Sequence, residues 1–111
     1  MFFQFSKISV MATCIAANAW IDPQAEIDTD VEIGPFCNIG PQVRIHSGTR
    51  LVSGVTVMGK VTLGHNNEIY PGAVIGGEPQ DLSYTGSNTQ VVIGDGNIIR
   101  ESVTINRGSD K

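Results

Sequence analysis

The chain has no basic run. Seven Lys and Arg stand against eleven Asp and Glu, a net charge of −4 over 111 residues, so a nucleic-acid groove has no electrostatic support. Arg44, Arg50, Lys60, Arg100 and Arg107 are scattered and read as residues of solvated faces. Long apolar runs are missing too: no window approaches the roughly 18–20 residues of a membrane-spanning helix. Cysteine is too scarce for a disulfide framework, with only Cys14 and Cys37 present, and a reducing compartment, the cytoplasm, fits. With two histidines, His46 and His65, the three-histidine zinc centre of a carbonic anhydrase built on similar coils cannot be assembled. No long polar linker divides the chain, which therefore forms one structural unit.

What the sequence does have is a metre. Stepping by six from Ile15 gives Ile21, Ile27, Ile33, Ile39, Ile45, Leu51, Val57, Leu63, Ile69 and Ile75 without a failure. The next two beats fall on Asp81 and Ser87, and the series resumes in phase at Ile93, Ile99 and Ile105. Four residues after the beats runs a weaker series of small or branched residues, among them Ala19, Ala25, Val31, Cys37, Val43, Thr49, Val55, Val61, Ala73, Val91 and Val103. The repeat is a hexapeptide. At about 100° per residue, six helical residues turn about 600° and successive beats would form no face. Strand side chains alternate with period two, so beats six apart all point to one side.

Glycines stand at fixed offsets, Gly34, Gly40, Gly64, Gly76 and Gly94 one residue after a beat, and Gly48, Gly54, Gly72 and Gly108 three after. They read as corners between short flat strands. The pattern predicts a parallel β-helix whose beats stack inside as ladders. One hexapeptide cannot stand alone, because burying an Ile contributes only ~1.5–3 kcal/mol against ~1–2 kcal/mol of backbone ordering per residue. The ends of such a stack are exposed edges.

At the amino terminus, Lys7, an apolar stretch and Ala17-Asn18-Ala19 imitate a signal peptide. Ile15 and Ala19 already lie on the repeat, and cleavage there would remove the first hexapeptide, so the segment is not read as a leader. Residues 1–14 are expected to be a disordered extension, with Met11 an equally good start, and residues 15–111 a partial β-helix domain.

The hexapeptides follow the order aliphatic, Gly or acidic, two variable residues, then small, as in IGPFCN followed by IGPQVR. This resembles the left-handed β-helix acyltransferases. Within them, IDPQAEI (21–27), IGPFCNIGP (33–41), NEIY (67–70), QDLSY (80–84) and IGDGNIIRESVTINRG from Ile93 onward are similar to the acyl-[acyl-carrier-protein]–UDP-N-acetylglucosamine O-acyltransferase family. The resemblance runs over essentially all of 15–111. It implies an all-β, left-handed parallel β-helix, truncated, with one loop projecting at about 76–90. It further implies transfer of a 3-hydroxyacyl chain from acyl carrier protein to the sugar 3-hydroxyl of UDP-N-acetylglucosamine, the first step of lipid A biosynthesis. By the same resemblance the enzyme is expected to be a cytoplasmic homotrimer with no cofactor.

Across the interruption IGGEPQDLSYTGSNTQVVI the step from Ile75 to Ile93 is eighteen residues, which reads as one coil's worth and explains why the ladder resumes in phase. Its polar Glu78, Gln80, Asp81, Tyr84 and Asn88 cannot make an inward ladder, so the segment is expected to leave the coil. By resemblance, Gln80 and Asp81 contact the nucleotide sugar in a cleft between subunits; a carboxylate suits a sugar hydroxyl because it accepts several hydrogen bonds. The plain alternative makes Asp81 a turn cap. Two positions depart from the family: Ser83 stands where many relatives have Lys, and Asn106 where many have His.

Attack of a hydroxyl on a thioester needs a general base, commonly His. The family places that His, followed by Asp, one coil beyond INRG, and the sequence ends at Lys111 before it. His46 and His65 stand at corner offsets matching no catalytic position of the family and are expected to be exposed turn residues. No catalytic residue is therefore assigned. The chain reads as the amino-terminal portion of the enzyme, inactive alone and marginal or self-associating. Acyl-chain length would be set past residue 111. The alternatives are a non-catalytic hexapeptide solenoid, which should carry a regular outward Thr array that Thr29, Thr49, Thr56 and Thr62 do not form, and a hexapeptide acyltransferase acting on an amino-substituted UDP-sugar. The related N-acyltransferase usually carries a uridine-binding domain before its coils, for which there is no room here.

Overall fold

Residues 13–77 and 90–106 are described by the computed structural model, and among them every regular element is a short strand. The strands fall into three parallel sheets, the three flat sides of a solenoid. On the first side, β1 (Cys14–Ile15), β4 (Glu32–Ile33), β7 (Arg50–Leu51), β10 (Glu68–Ile69) and β13 (Ile98–Ile99) stack in that order. The second holds β2 (Trp20–Ile21), β5 (Asn38–Ile39), β8 (Thr56–Val57), β11 (Val74–Gly77) and β14 (Thr104–Asn106). The third holds β3 (Glu26–Ile27), β6 (Val43–Ile45), β9 (Val61–Leu63) and β12 (Val91–Ile93). The architecture is the parallel β-helix that the hexapeptide metre predicts, left-handed as the family resemblance implies. Because β1 already pairs Cys14 with Glu32, the coil begins inside the segment expected to be an extension.

The beats are the core. Ile33, Ile39, Ile45, Leu51, Val57, Leu63, Ile69 and Ile75 are all buried, and the second series fills in beside them with Val31, Cys37, Val43, Val55, Val61 and Ala73. Ile21, Ile27, Ile93 and Ile105, in the first and last described coils, are only partly buried, as stacking from one side alone requires. At the corners after Ile27, Ile33, Ile45, Leu51, Leu63, Ile69, Ile93 and Ile99 the chain turns at the residue three after the beat. There Asp30, Phe36, Gly48, Gly54, Asn66, Gly72, Gly96 and Ser102 share φ values of 58–82°. Only some are glycine, so the left-handed corner is set by the repeat and tolerated by other residues. Glycine directly after a beat has a different cause, since a Cβ on Gly34 would meet the Val52 carbonyl oxygen of the next coil at 1.8 Å.

Register corrects one expectation. Glu32 pairs with Arg50 and Arg50 with Glu68, so a coil takes eighteen residues. Across the interruption Leu63 pairs with Ile93 and Ile69 with Ile99, an offset of thirty. The interruption thus inserts twelve residues, two hexapeptides, rather than a whole coil. A full extra coil would have set Ile93 above Ile75 on the second side; it lies above Leu63 on the third.

Outward positions carry ladders of their own. Arg44 pairs with Glu26 across coils on the third side, and Arg50 lies 3.3 Å from Glu32 and 3.8 Å from Glu68 on the first. These arginines are therefore cross-coil ties as well as solvated residues, each pair contributing little at such exposure. The outward residues of the second side, Trp20, Asn38, Thr56, Val74 and Thr104, are all uncharged.

Candidate functional site

β11 is the last described strand before residue 78, and its backbone departs from the regular ladder. Pairing between β11 and β14 shifts register between Ile75 and Gly77, so Gly76 is bulged out of the ladder. Gly76 has φ 88°, and a Cβ there would sit 2.0 Å from the Met58 carbonyl oxygen and 2.5 Å from Val61 Cγ2. Only glycine passes that point. Gly77 then pairs with Asn106, whose side-chain oxygen would lie 3.1 Å from a Cβ on Gly77. Asn106, exposed and noted in the sequence only as a departure, stands at the root of the segment carrying the two sugar-contact candidates. Gln80 and Asp81, with Ser83 and Tyr84, lie outside the described residues.

Two motifs that support the resemblance are packed against each other. Asn67 fills a slot of the small series that the sequence pattern left blank, and it is fully buried. Its Nδ2 donates to the Gly94 carbonyl at 2.8 Å, its Oδ1 accepts the Asn97 N–H at 2.7 Å, and its own N–H donates to Thr49 Oγ1 at 3.2 Å. Thr49, also fully buried, donates to the Gly64 carbonyl at 2.6 Å. The result is a polar stitch joining three coils. Outside it, Tyr70 OH donates to Glu68 at 3.2 Å and the Arg100 guanidinium lies 4.6 Å from the Tyr70 ring centroid. Within NEIY and IRES these residues tie the coil after the interruption to the one before it.

His65 is an exposed turn residue as expected, whereas His46 is half-buried, and the two are not isolated. They occupy the corner between the third and first sides, with rings stacked at a centroid distance of 4.8 Å. His46 Nδ1 lies 3.1 Å from Asp28 and His65 Nδ1 3.4 Å from Asp95. The Asp95 carboxyl is lowered below its ordinary range, first because it accepts the His65 backbone N–H at 2.7 Å. The end of β11 lies instead at the corner between the second and third sides, so the structure does not bring the histidines to the Gly77–Asn106 root. A groove of about 410 Å³ beside Asn66 and Asn97 is lined also by Glu32, Arg50 and Glu68, which are engaged with one another. Among the described residues no three His, Cys, Asp or Glu converge as metal ligands, and no helix is long and apolar enough to cross a membrane.

The bacterial transferase hexapeptide family (six repeats) matches residues 15–47. The acyl-[acyl-carrier-protein]–UDP-N-acetylglucosamine O-acyltransferase of Xanthomonas euvesicatoria is 59% identical over 51 residues, 46% of this chain and 19% of that protein. LpxA from Acinetobacter baumannii superposes with a TM-score of 0.84 at 49% identity, over 86% of this chain and 37% of its own. The UDP-N-acetylglucosamine acyltransferase of Francisella novicida gives a TM-score of 0.84 at 44% identity, over 86% and 35%. The chain thus spans well under half the length of the relatives it matches.

Proposed function

We propose that this chain, a relative of the UDP-N-acetylglucosamine acyltransferases, supplies the sugar-nucleotide-contacting coils of an enzyme that acylates UDP-N-acetylglucosamine. The reaction moves a 3-hydroxyacyl chain from acyl carrier protein to the sugar 3-hydroxyl, the first step of lipid A biosynthesis, in the cytoplasm and within a homotrimer. The observation that carries this reading is the match at 49% identity over 86% of the chain, in a chain with QDLSY placed where the ladder is interrupted. Gln80 and Asp81 bind the sugar, and Asn106 at the root of their segment offers an amide to the same ligand.

Asp81 accepts hydrogen bonds from sugar hydroxyls and so orients the ring; Gln80 both donates and accepts. The proton of the attacking hydroxyl needs a base. His46 and His65 stand at a different corner from Asn106 and do not fill that role. Residues 1–111 bind and position the sugar. Calorimetric titration of the chain with UDP-N-acetylglucosamine tests this. Saturable binding weakened at least tenfold by Asp81→Ala and by Gln80→Ala is expected; affinity indifferent to both substitutions overturns the assignment.

A further inference from the structure

The corner between β12 and β13 carries the only Asp–Gly or Asn–Gly pair in the sequence, Asp95 and Gly96. Glycine after aspartate leaves its backbone nitrogen open to the preceding side chain, because no Cβ shields it. Asp28 and Asp30 are followed instead by the branched Thr29 and Val31. Gly96 stands in open space, with φ 72° and nothing within 4 Å of where a Cβ would be, and the Asp95 side chain is 66% exposed. What restrains the pair is the backbone of His65 in the coil below. The His65 N–H donates to Asp95 Oδ1 at 2.7 Å, and the Gly96 N–H donates to the His65 carbonyl at 2.9 Å. One residue thus engages both groups that would react with each other, the side-chain carboxyl and the neighbouring nitrogen.

We propose that Asp95–Gly96 is a site of spontaneous aspartate isomerisation, held closed by the backbone of His65 and reactive when the coil of β12 and β13 opens. In the reaction the Gly96 nitrogen bonds to Asp95 Cγ and gives up its proton while the carboxyl gives up a hydroxyl, so one water leaves and a succinimide ring forms. Water then adds back at either ring carbonyl, returning aspartate or giving isoaspartate, whose main chain runs through Cβ and Cγ. No enzyme or cofactor takes part. The His65 contacts oppose the first step twice. The proton that the nitrogen must lose is held on a carbonyl, and the carboxyl, lowered first by the His65 N–H, is less often in the neutral form that releases water. Opening is accessible because this coil is thinly covered: Ile93 and Ile105 are only partly buried and residues 94–98 are exposed, as in segments of low local stability. Isoaspartate adds a carbon to the main chain between Ile93 and Ile99, so both His65 contacts cannot re-form and the coil does not restack in register.

Isoaspartate at residue 95 is read by tandem mass spectrometry of the tryptic peptide 61–100 after incubation at neutral pH and physiological temperature. Conversion in concentrated urea should be at least tenfold faster than in the folded chain, and faster at Asp95 than at Asp28 or Asp30. Asn67→Ala frees the Gly94 carbonyl and the Asn97 N–H on either side of the pair. It should speed conversion severalfold in native buffer and leave the rate in urea unchanged. Amide hydrogen exchange of the converted fraction should show protection lost across residues 93–99. Equal rates in the folded and unfolded chain overturn the proposal, a comparison that needs no variant. So does a folded Asn67→Ala chain that converts no faster, or a converted fraction whose exchange matches the fresh chain.

Discussion

Replacing Thr49 with valine will destabilise the chain although it makes the coil interior more apolar. The slot four residues after the beat holds Val31, Val43, Val55 and Val61 in other hexapeptides, all buried, so a hydrophobic tally would favour Val at 49. The structure argues the reverse. Thr49 Oγ1 donates to the Gly64 carbonyl and accepts the Asn67 N–H, in a site with no exposure. Valine matches threonine in shape and opens no cavity, but it leaves both backbone groups without this partner. Each such loss costs about 1–3 kcal/mol, against a gain of about 0.8 kcal/mol for the added apolar carbon. The net expectation is a loss of about 1–5 kcal/mol, read as a lower urea midpoint at unchanged m-value. Val55→Thr is the matched control and should also destabilise, since its hydroxyl enters a slot lined for methyl groups. A Thr49→Val chain as stable as the original, or more so, would refute the stitch.

The bulge at Gly76 makes a second demand: Gly76→Ala forces a Cβ onto the Met58 carbonyl in a left-handed backbone, and a loss of roughly 2–4 kcal/mol is expected on denaturation. Gly96→Ala, where nothing lies within 4 Å, should cost clearly less. For Asp95 the folded carboxyl titrates below its unfolded value. Its contribution is therefore present above the ordinary carboxylate range near pH ~3.9 and is lost as the pH falls through the lower folded value. The urea midpoint of Asp95→Asn should consequently fall less than that of the unsubstituted chain between about pH 4 and 2, and parallel curves would contradict the Asp95–His65 contact. The two thiols should separate in a timed reaction with a disulfide reagent at pH 8. Cys14 is exposed, whereas Cys37 is buried and its thiol is raised by that burial, so one fast and one slow equivalent are expected.

The inward ladder was legible because a period of six is compatible with strand alternation and with nothing helical, and each beat from Ile33 to Ile75 lies where that arithmetic puts it. The stitch was not. Asn67 reads as a gap in the small series until the coil pitch brings it against Asn97, thirty residues on. The length of the interruption is hidden in the sequence for a related reason: counting from Ile75 to Ile93 gives a coil, but only strand pairing reveals which side Ile93 joins. Corner glycines signalled the left-handed turns, yet Asp30, Phe36, Asn66 and Ser102 adopt them as well, which residue type alone does not disclose. The pairing of His65 with Asp95 across the interruption likewise depends on the thirty-residue offset. Asn106 was visible as an odd residue in a motif, and its place beside Gly77 became meaningful only once the bulge at Gly76 was seen.

The central claim is that the interrupted segment and its root form the sugar-nucleotide contact. Amide chemical-shift mapping of the ¹⁵N-labelled chain during titration with UDP-N-acetylglucosamine tests it most directly. The account predicts saturable shifts grouped at Gly77, Gln80, Asp81 and Asn106, with the His46–His65 corner undisturbed. Shifts confined to that corner or to the first coil, with residues 77–81 and Asn106 unmoved, would contradict it.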